Sequence, residues 1–209
     1  MIPKIIHQIW LGDQSLRPQK LINTWDKVNP SFEHKLWTED NLPDDLILQH
    51  KMNVAEHNPT KSIILRWELL YRYGGVYFDT DTKALLPLTD DLFESECFSV
   101  YSNEKYDGNI VSCSVVGCEP GNKFIGGIIN TINNMDDVLV ERITGWRIVG
   151  SQLLTNCIDM YKPNITIHPS HFFIPTFRNG EKYTGSGPVY CDQYWANSLQ
   201  KHEEVKNYE

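Results

Sequence analysis

No apolar stretch in this sequence approaches the ~20 residues needed to cross a bilayer, so no membrane span is expected. The N-terminus shows no charged segment followed by an apolar run, so no signal peptide is expected either, and the cytoplasm is the anticipated setting. Without a secretory route the sequon Asn164-Ile-Thr166 carries no weight. The five cysteines (Cys97, Cys113, Cys118, Cys157 and Cys191) are odd in number and contain no C-x-x-C pair. That pattern argues against a disulfide framework and a zinc site, and leaves reduced, buried thiols. A basic footprint is also missing: 19 Lys and Arg stand against 27 Asp and Glu, a net charge of −8. Nucleic acid is therefore not an expected partner. The same deficit means that a phosphate ligand would need a metal to offset repulsion. There is no internal repeat and no low-complexity linker. With 41% hydrophobic and 22% charged residues the composition is that of a soluble globular protein, and 209 residues suffice for one domain with a full core or at most two small ones; a monomer is expected.

What is present is an alternation of strand and helix signals over the first half. Ile5, Ile6 and Ile9 mark a short buried strand that ends in His7, Gln8 and Trp10. A first strand ending in polar and aromatic groups can deliver them to a ligand at the carboxyl edge of a sheet. Residues 17–28 have helical spacing through Leu21, Trp25 and Val28, and Phe32 to Trp37 alternates as a strand. Leu42 to His57 carries short helices that Asn58-Pro59 should stop. Thr60 or Ser62 can cap the next helix, whose core face is Ile64, Trp67 and Tyr71, with Glu68 spaced to pair with Arg72. Gly74 suits the end of that helix, and Val76-Tyr-Phe78 is a short central strand. Strands are expected at Cys97–Tyr101, Asn109–Gly117 and Ile165–His168, and helices at Phe124–Asn133 and Ser151–Met160. Residues 134–150 give no clear pattern. The aromatic, glycine-rich tail from His171 to Trp195 reads as a cover over a site rather than as part of a sheet. The whole predicts an α/β sandwich.

Its centre is Asp79-Thr80-Asp81, directly after the apolar strand. In an extended strand, residues i and i+2 share a face roughly 6.6 Å apart. Two carboxylates placed so repel unless a cation joins them, and an all-oxygen pair suits Mn2+ or Mg2+. A metal held there favours departure of a diphosphate. A bare D-x-D is also a common solvated turn; the apolar run, the Gly74-Gly75 entry and Arg66 on the preceding helix are what lift it above that. Arg66 suits either a phosphate or an ion pair with one of the acids.

Three segments carry a resemblance: Ile2-Pro-Lys-Ile-Ile-His-Gln-Ile-Trp10, Leu65-Arg66, and Leu70-Tyr-Arg-Tyr-Gly-Gly-Val-Tyr-Phe-Asp-Thr-Asp81. They resemble the D-x-D glycosyltransferases of family 32, over about the first 90 residues. Further on, Gly150-Ser-Gln-Leu-Leu-Thr155 and His168-Pro169 with Phe172, Phe173 and Pro175 are similar to later segments of that family. The compact chain is also similar to sugar transferases of large algal viruses, which would place it in a host cytoplasm. The resemblance implies a GT-A fold: a single nucleotide-binding, Rossmann-like α/β/α sandwich with a mixed central sheet. Residues 1–100 would be the nucleotide-sugar-binding half, and residues 101–209 the acceptor-binding half and C-terminal lid, with the chain either complete or the front of a longer protein. It implies a nucleotide-diphosphate sugar donor, Mn2+ or Mg2+, a glycan acceptor and retention of configuration. Carried over by position, His7, Gln8, Ile9 and Trp10 would line the base and ribose. Ser62, Arg66, Asp79 and Thr80 would stand at the donor, with Asp79 meeting ribose or metal and Asp81 ligating the metal. Two positions depart from the pattern. Ser62 is followed by Ile63 where the family has an acid that holds donor hydroxyls, and the late His-His pair reads Gln193-Tyr194 after Asp192. Asp192 and Gln193 are the candidates near the reacting carbon, with His168 and His171 structural or on the acceptor side.

The expected activity is metal-dependent hexosyl transfer from a UDP-sugar. The rivals are a nucleotidyltransferase or nucleotide-sugar hydrolase on a similar scaffold, and a carbohydrate-binding domain that has lost turnover.

Overall fold

The computed structural model describes residues 1–207. Its centre is a six-stranded mixed sheet built from β1 (Ile5–Ile9), β2 (Glu33–Trp37), β3 (Gly75–Phe78), β5 (Cys97–Tyr101), β6 (Val111–Cys118) and β7 (Thr166–His168), in the order β2-β1-β3-β6-β5-β7. Strands β2, β1 and β3 run parallel, β6 is antiparallel to both β3 and β5, and β7 is parallel to β5. Two three-residue strands, β4 (Thr82–Ala84) and β8 (Cys191–Gln193), pair separately as an antiparallel ribbon. The aromatic tail is therefore not only a cover: its last part is paired backbone. Such short strands have no periodicity of their own, and only their partner identifies them.

The long helices are α1 (Gln19–Val28), α3 (Asn58–Tyr73), α4 (Lys123–Asn133) and α7 (Ser151–Tyr161); short ones are α2 (Gln49–Val54), α5 (Asp137–Arg142), α6 (Gly145–Ile148), α8 (Ala196–Leu199) and α9 (His202–Lys206). Among the described residues no helix is long and apolar enough to cross a membrane. Pro59 does not stop a helix but opens α3 from within its first turn, where a missing N–H is harmless. The stretch 134–150 holds α5 and α6, each too short to show a face.

Two apolar cores flank the sheet. One gathers Ile64, Leu65, Trp67, Leu69 and Leu70 of α3 with α4 and α7; the other gathers Trp25 of α1 with Phe78, Phe98 and Phe173. The expected Glu68–Arg72 pair does not form. Glu68 is buried and accepts from the Leu48 amide at 2.5 Å, while Arg72 reaches Asp45 at 2.6 Å.

The Gly74-Gly75 turn aims β3. Gly75 has φ +90°, and a Cβ there would lie 2.6 Å from the Ile5 carbonyl oxygen, in the neighbouring strand. Gly75→Ala therefore strains the backbone and forces β3 off β1. A loss of about 2–4 kcal/mol is expected from urea unfolding, with donor-site function lost alongside.

Candidate functional site

The end of β3 delivers Asp79, but the strand stops at Phe78 and residues 80–81 form a turn. The two acids are thus set by a turn into β4, not by an extended i, i+2 pair. Thr82, fully buried, fixes that turn: its Oγ1 donates to the Asp79 carbonyl at 2.6 Å and accepts from Trp25 Nε1 at 3.0 Å. Trp25 in turn stacks on Phe78 at 3.7 Å.

Asp79 is gripped from beneath. Its Oδ1 accepts from Arg66 Nη2 at 2.8 Å and from the Tyr77 hydroxyl at 3.0 Å, and its Oδ2 faces Gln193 Nε2 at 3.4 Å. Arg66 is only 3% exposed; it also donates to the Cys113 carbonyl, and its guanidinium lies 3.9 Å from the Tyr77 ring centroid. Of the two roles open to Arg66, the geometry supplies the ion pair; a side chain so enclosed does not itself face a ligand.

Asp81 is held by the far end of the chain. Its Oδ2 accepts from the Ala196 amide at 2.7 Å, and its carbonyl accepts from the Tyr194 amide at 2.9 Å. Burial, then repulsion from Asp79, push the Asp81 carboxyl up to about 7. Asp79 is also raised, by burial, although Arg66 and Tyr77 pull the other way.

Three of the expected base- and ribose-lining residues are closed in. His7 is fully buried, donating from Nε2 to the Gly74 carbonyl at 2.8 Å and accepting at Nδ1 from Trp37 Nε1 at 3.0 Å. Burial lowers its pKa to about 4, so it is a neutral brace. Gln8 is fully buried too: Nε2 donates to the Asp79 carbonyl at 3.2 Å, and Oε1 accepts from His34 at 2.9 Å. Ile9 is 3% exposed and belongs to the core. The side chains of His7, Gln8 and Ile9 thus support the site without lining it, because β1 lies inside the sheet and both its faces are covered. Trp10, just past the strand, is part-exposed, with Nε1 donating to the Asp13 carbonyl at 3.1 Å. Thr80 is buried and Ser62 half-buried, one helical turn before Arg66.

On β8, Thr82 pairs with Gln193 and Lys83 with Asp192; Gln193 Nε2 reaches Asp79 Oδ2 at 3.4 Å, and Asp192 precedes it by one residue. Gln193 is 7% exposed and its Oε1 has no partner; Asp192 Oδ1 is likewise buried and unpartnered. His168 packs among Phe98 and Phe172, and His171 stacks on Tyr183, both away from the acids' contacts. Ser151 and Thr155 of the Gly150–Thr155 segment accept from the Cys113 and Val111 amides and so fasten α7 to β6. Among the described residues no group of three or more His, Cys, Asp or Glu gathers as a metal shell. The donor set is the two carboxylates, with the unpartnered Oε1 of Gln193 on the side chain that reaches Asp79. That fits a hard cation drawing its other ligands from water and phosphate, and no third protein ligand is assigned.

Sequence reasoning passed over Tyr77, Thr82 and the Ala196 amide. Tyr77 could have been found, since i−2 from Asp79 shares its face on a strand. A backbone amide 115 positions away leaves no mark in the sequence.

Residues 15–99 match the family described as glycosyltransferase sugar-binding region containing DXD motif. Among curated proteins, the chain is 28% identical over 88 residues to inositol phosphoceramide mannosyltransferase 3 of Schizosaccharomyces pombe, covering 38% of this chain and 24% of that one. It is 28% identical over 132 residues to an uncharacterised glycosyltransferase of Acanthamoeba polyphaga mimivirus, covering 57% and 51%. The chain therefore spans between a quarter and a half of the length of these relatives. Among solved structures, it superposes with TM-score 0.60 and 6% identity on a glycosyltransferase involved in the glycosylation of the major capsid of PBCV-1, over 97% of this chain and 98% of that one. The UDP-bound glycosyltransferase domain of the YGT toxin superposes with TM-score 0.54 and 9% identity, over 80% and 79%.

Proposed function

From a chain that carries the D-x-D-containing sugar-binding region of glycosyltransferases on a GT-A fold, we propose metal-dependent transfer of a hexose from a UDP-sugar to a hydroxyl of a glycan acceptor, with retention. The observation that carries this reading is the pair Asp79 and Asp81 at the end of the central strand, one braced by Arg66 and the other by the Ala196 amide. A UDP-bound structural neighbour supports the choice of nucleotide. Bound at Asp79 and Asp81, Mn2+ or Mg2+ would offset the charge that builds on the departing diphosphate.

The residues divide the work. Arg66 and Tyr77 hold Asp79 at Oδ1 and leave its Oδ2 toward the ligand side. The part-exposed Trp10 stacks near the base. Gln193 and Asp192 stand near the reacting carbon, on the side from which the acceptor hydroxyl arrives, and the aromatic tail excludes water, which would otherwise take the sugar. The acceptor oxygen bonds to the anomeric carbon as the bond to the diphosphate oxygen breaks, and the acceptor proton passes to a phosphate oxygen of the leaving UDP. The protein is proposed to act as a monomer in the cytoplasm.

A thermal-shift panel of nucleotide sugars with and without Mn2+ tests the reading. A UDP-sugar should raise the melting temperature only with the metal, since a ligand that binds only the folded state stabilises it. Release of UMP or pyrophosphate, or of UDP at the same rate without any acceptor, would assign the site to a nucleotidyltransferase or hydrolase instead.

A further inference from the structure

A cleft of about 520 Å3 adjoins the acids through Gln193, and its lining is chemically split. At its floor, β8 presents two acceptors with nothing to accept from. Gln193 is 7% exposed with Oε1 unpartnered, and Asp192 Oδ1 is buried and unpartnered. A buried acceptor without a donor is costly, so the cleft calls for a ligand rich in hydroxyl donors. The walls include the part-exposed ring of Trp195, backed edge to face at 5.9 Å by the buried Phe177, which gives apolar surface for sugar C–H groups. The rim carries the opposite chemistry. Arg178, Lys182 and Lys201 line the cleft against the single acid Asp192, in a chain whose net charge is −8. Arg178 is shared with the largely buried Asp107 at 3.1 Å and Lys201 with Glu204 at 3.5 Å, and both cations are themselves exposed to an incoming anion. Lys182 is exposed and makes no ion pair among the described residues.

The geometry points to an acceptor subsite for a phosphorylated sugar or polyol, with hydroxyls donating to Gln193 Oε1 and Asp192 Oδ1 and the phosphate at Lys182 and Arg178. It rests on the glycosyltransferase reading only for the word acceptor; the ligand class follows from the cleft. Its place is apt, because Gln193 reaches from the cleft floor to Asp79 Oδ2 at 3.4 Å. A sugar seated there adjoins whatever the acids hold.

Calorimetry with glucose 6-phosphate, glucose, inorganic phosphate and UDP, each with Mn2+, tests this. Glucose 6-phosphate should bind about tenfold more tightly than either glucose or inorganic phosphate. Lys182→Glu, at an exposed position where the fold is not at stake, should abolish that preference while leaving UDP affinity within about twofold. Equal affinities for glucose and glucose 6-phosphate overturn the proposal, as does no measurable binding of glucose 6-phosphate. A loss of UDP affinity in Lys182→Glu as large as the loss for glucose 6-phosphate also overturns it, by assigning the cations to the donor diphosphate. If UDP fails to bind but the tenfold preference stands, the donor reading falls and the cleft keeps its ligand.

Discussion

Asp81→Asn is expected to abolish metal-dependent donor binding and at the same time make the ligand-free protein more stable at pH 8. The two effects share one cause. Burial and the nearby Asp79 hold the Asp81 carboxyl at about 7, against 3.8 for an ordinary aspartate. Between those values the folded chain keeps a proton that the unfolded chain has lost. Stability therefore falls as pH rises through that window and stays lowered above it. Asparagine removes the charge, and its side-chain oxygen can still accept from the Ala196 amide. A gain on the order of 2 kcal/mol in the metal-free protein is expected at pH 8 and almost none near pH 4, about half of what the full shift would give because solvent reaches part of the pair. Transfer activity should drop by roughly 10^3-fold or more, since the group that meets the metal is gone. Urea unfolding at the two pH values, with Mn2+-dependent UDP titrations alongside, reads both effects. Undiminished donor binding would sink the metal assignment, and a pH-independent change in stability would sink the account of strain between the two acids.

Arg66→Met carries the second large effect, with the opposite sign. Arg66 is one of few charged side chains buried on α3, and it satisfies Asp79 and the Cys113 carbonyl together. Its removal takes the cation away from Asp79, which keeps only the neutral donors Tyr77 OH and Gln193 Nε2, and takes a donor away from the Cys113 carbonyl. Breaking one side of such a buried pair typically costs about 3–5 kcal/mol. Lysine is not expected to rescue it, because an ammonium cannot serve two acceptors in a plane while lying over the Tyr77 ring. Adding Asp79→Asn to Arg66→Met should recover a measurable part of the loss, since the uncompensated charge goes with it. If Arg66→Met unfolds in urea within about 1 kcal/mol of the native chain, Arg66 is not the support of Asp79.

The parts of the fold that show in the sequence are those with a long local signal. The apolar runs at Ile5–Ile9 and Val76–Phe78, the Gly-Gly turn and the periodicity of α3, α4 and α7 place most of the sheet and its covering helices. Asp79 and Asp81 are equally visible, because acids at the mouth of a buried strand break its pattern. What does not show depends on partners far away. His7 and Gln8 look ligand-facing because they are polar residues near a strand end, yet the neighbours that satisfy them sit on β2 and at the Gly74 turn. The β4–β8 ribbon joins two three-residue strands more than 100 positions apart, and neither could be recognised without the other. The split character of the cleft at β8 is likewise invisible along the chain, where Arg178, Lys182 and Asp192 read as scattered surface charges.

The grip on Asp81 has a consequence for how this chain can drift. The group that holds its carboxylate is the backbone N–H of residue 196, which every amino acid except proline provides. Burial limits which side chains fit there, since Ala196 is 5% exposed, but the bond to Asp81 asks nothing of them. The same holds for the Tyr194 amide on the Asp81 carbonyl. A site clasped by main chain can keep its shape while the residues that shape it are replaced freely. Such replacement is compatible with a superposition at TM-score 0.60 in which only 6% of the aligned residues are the same.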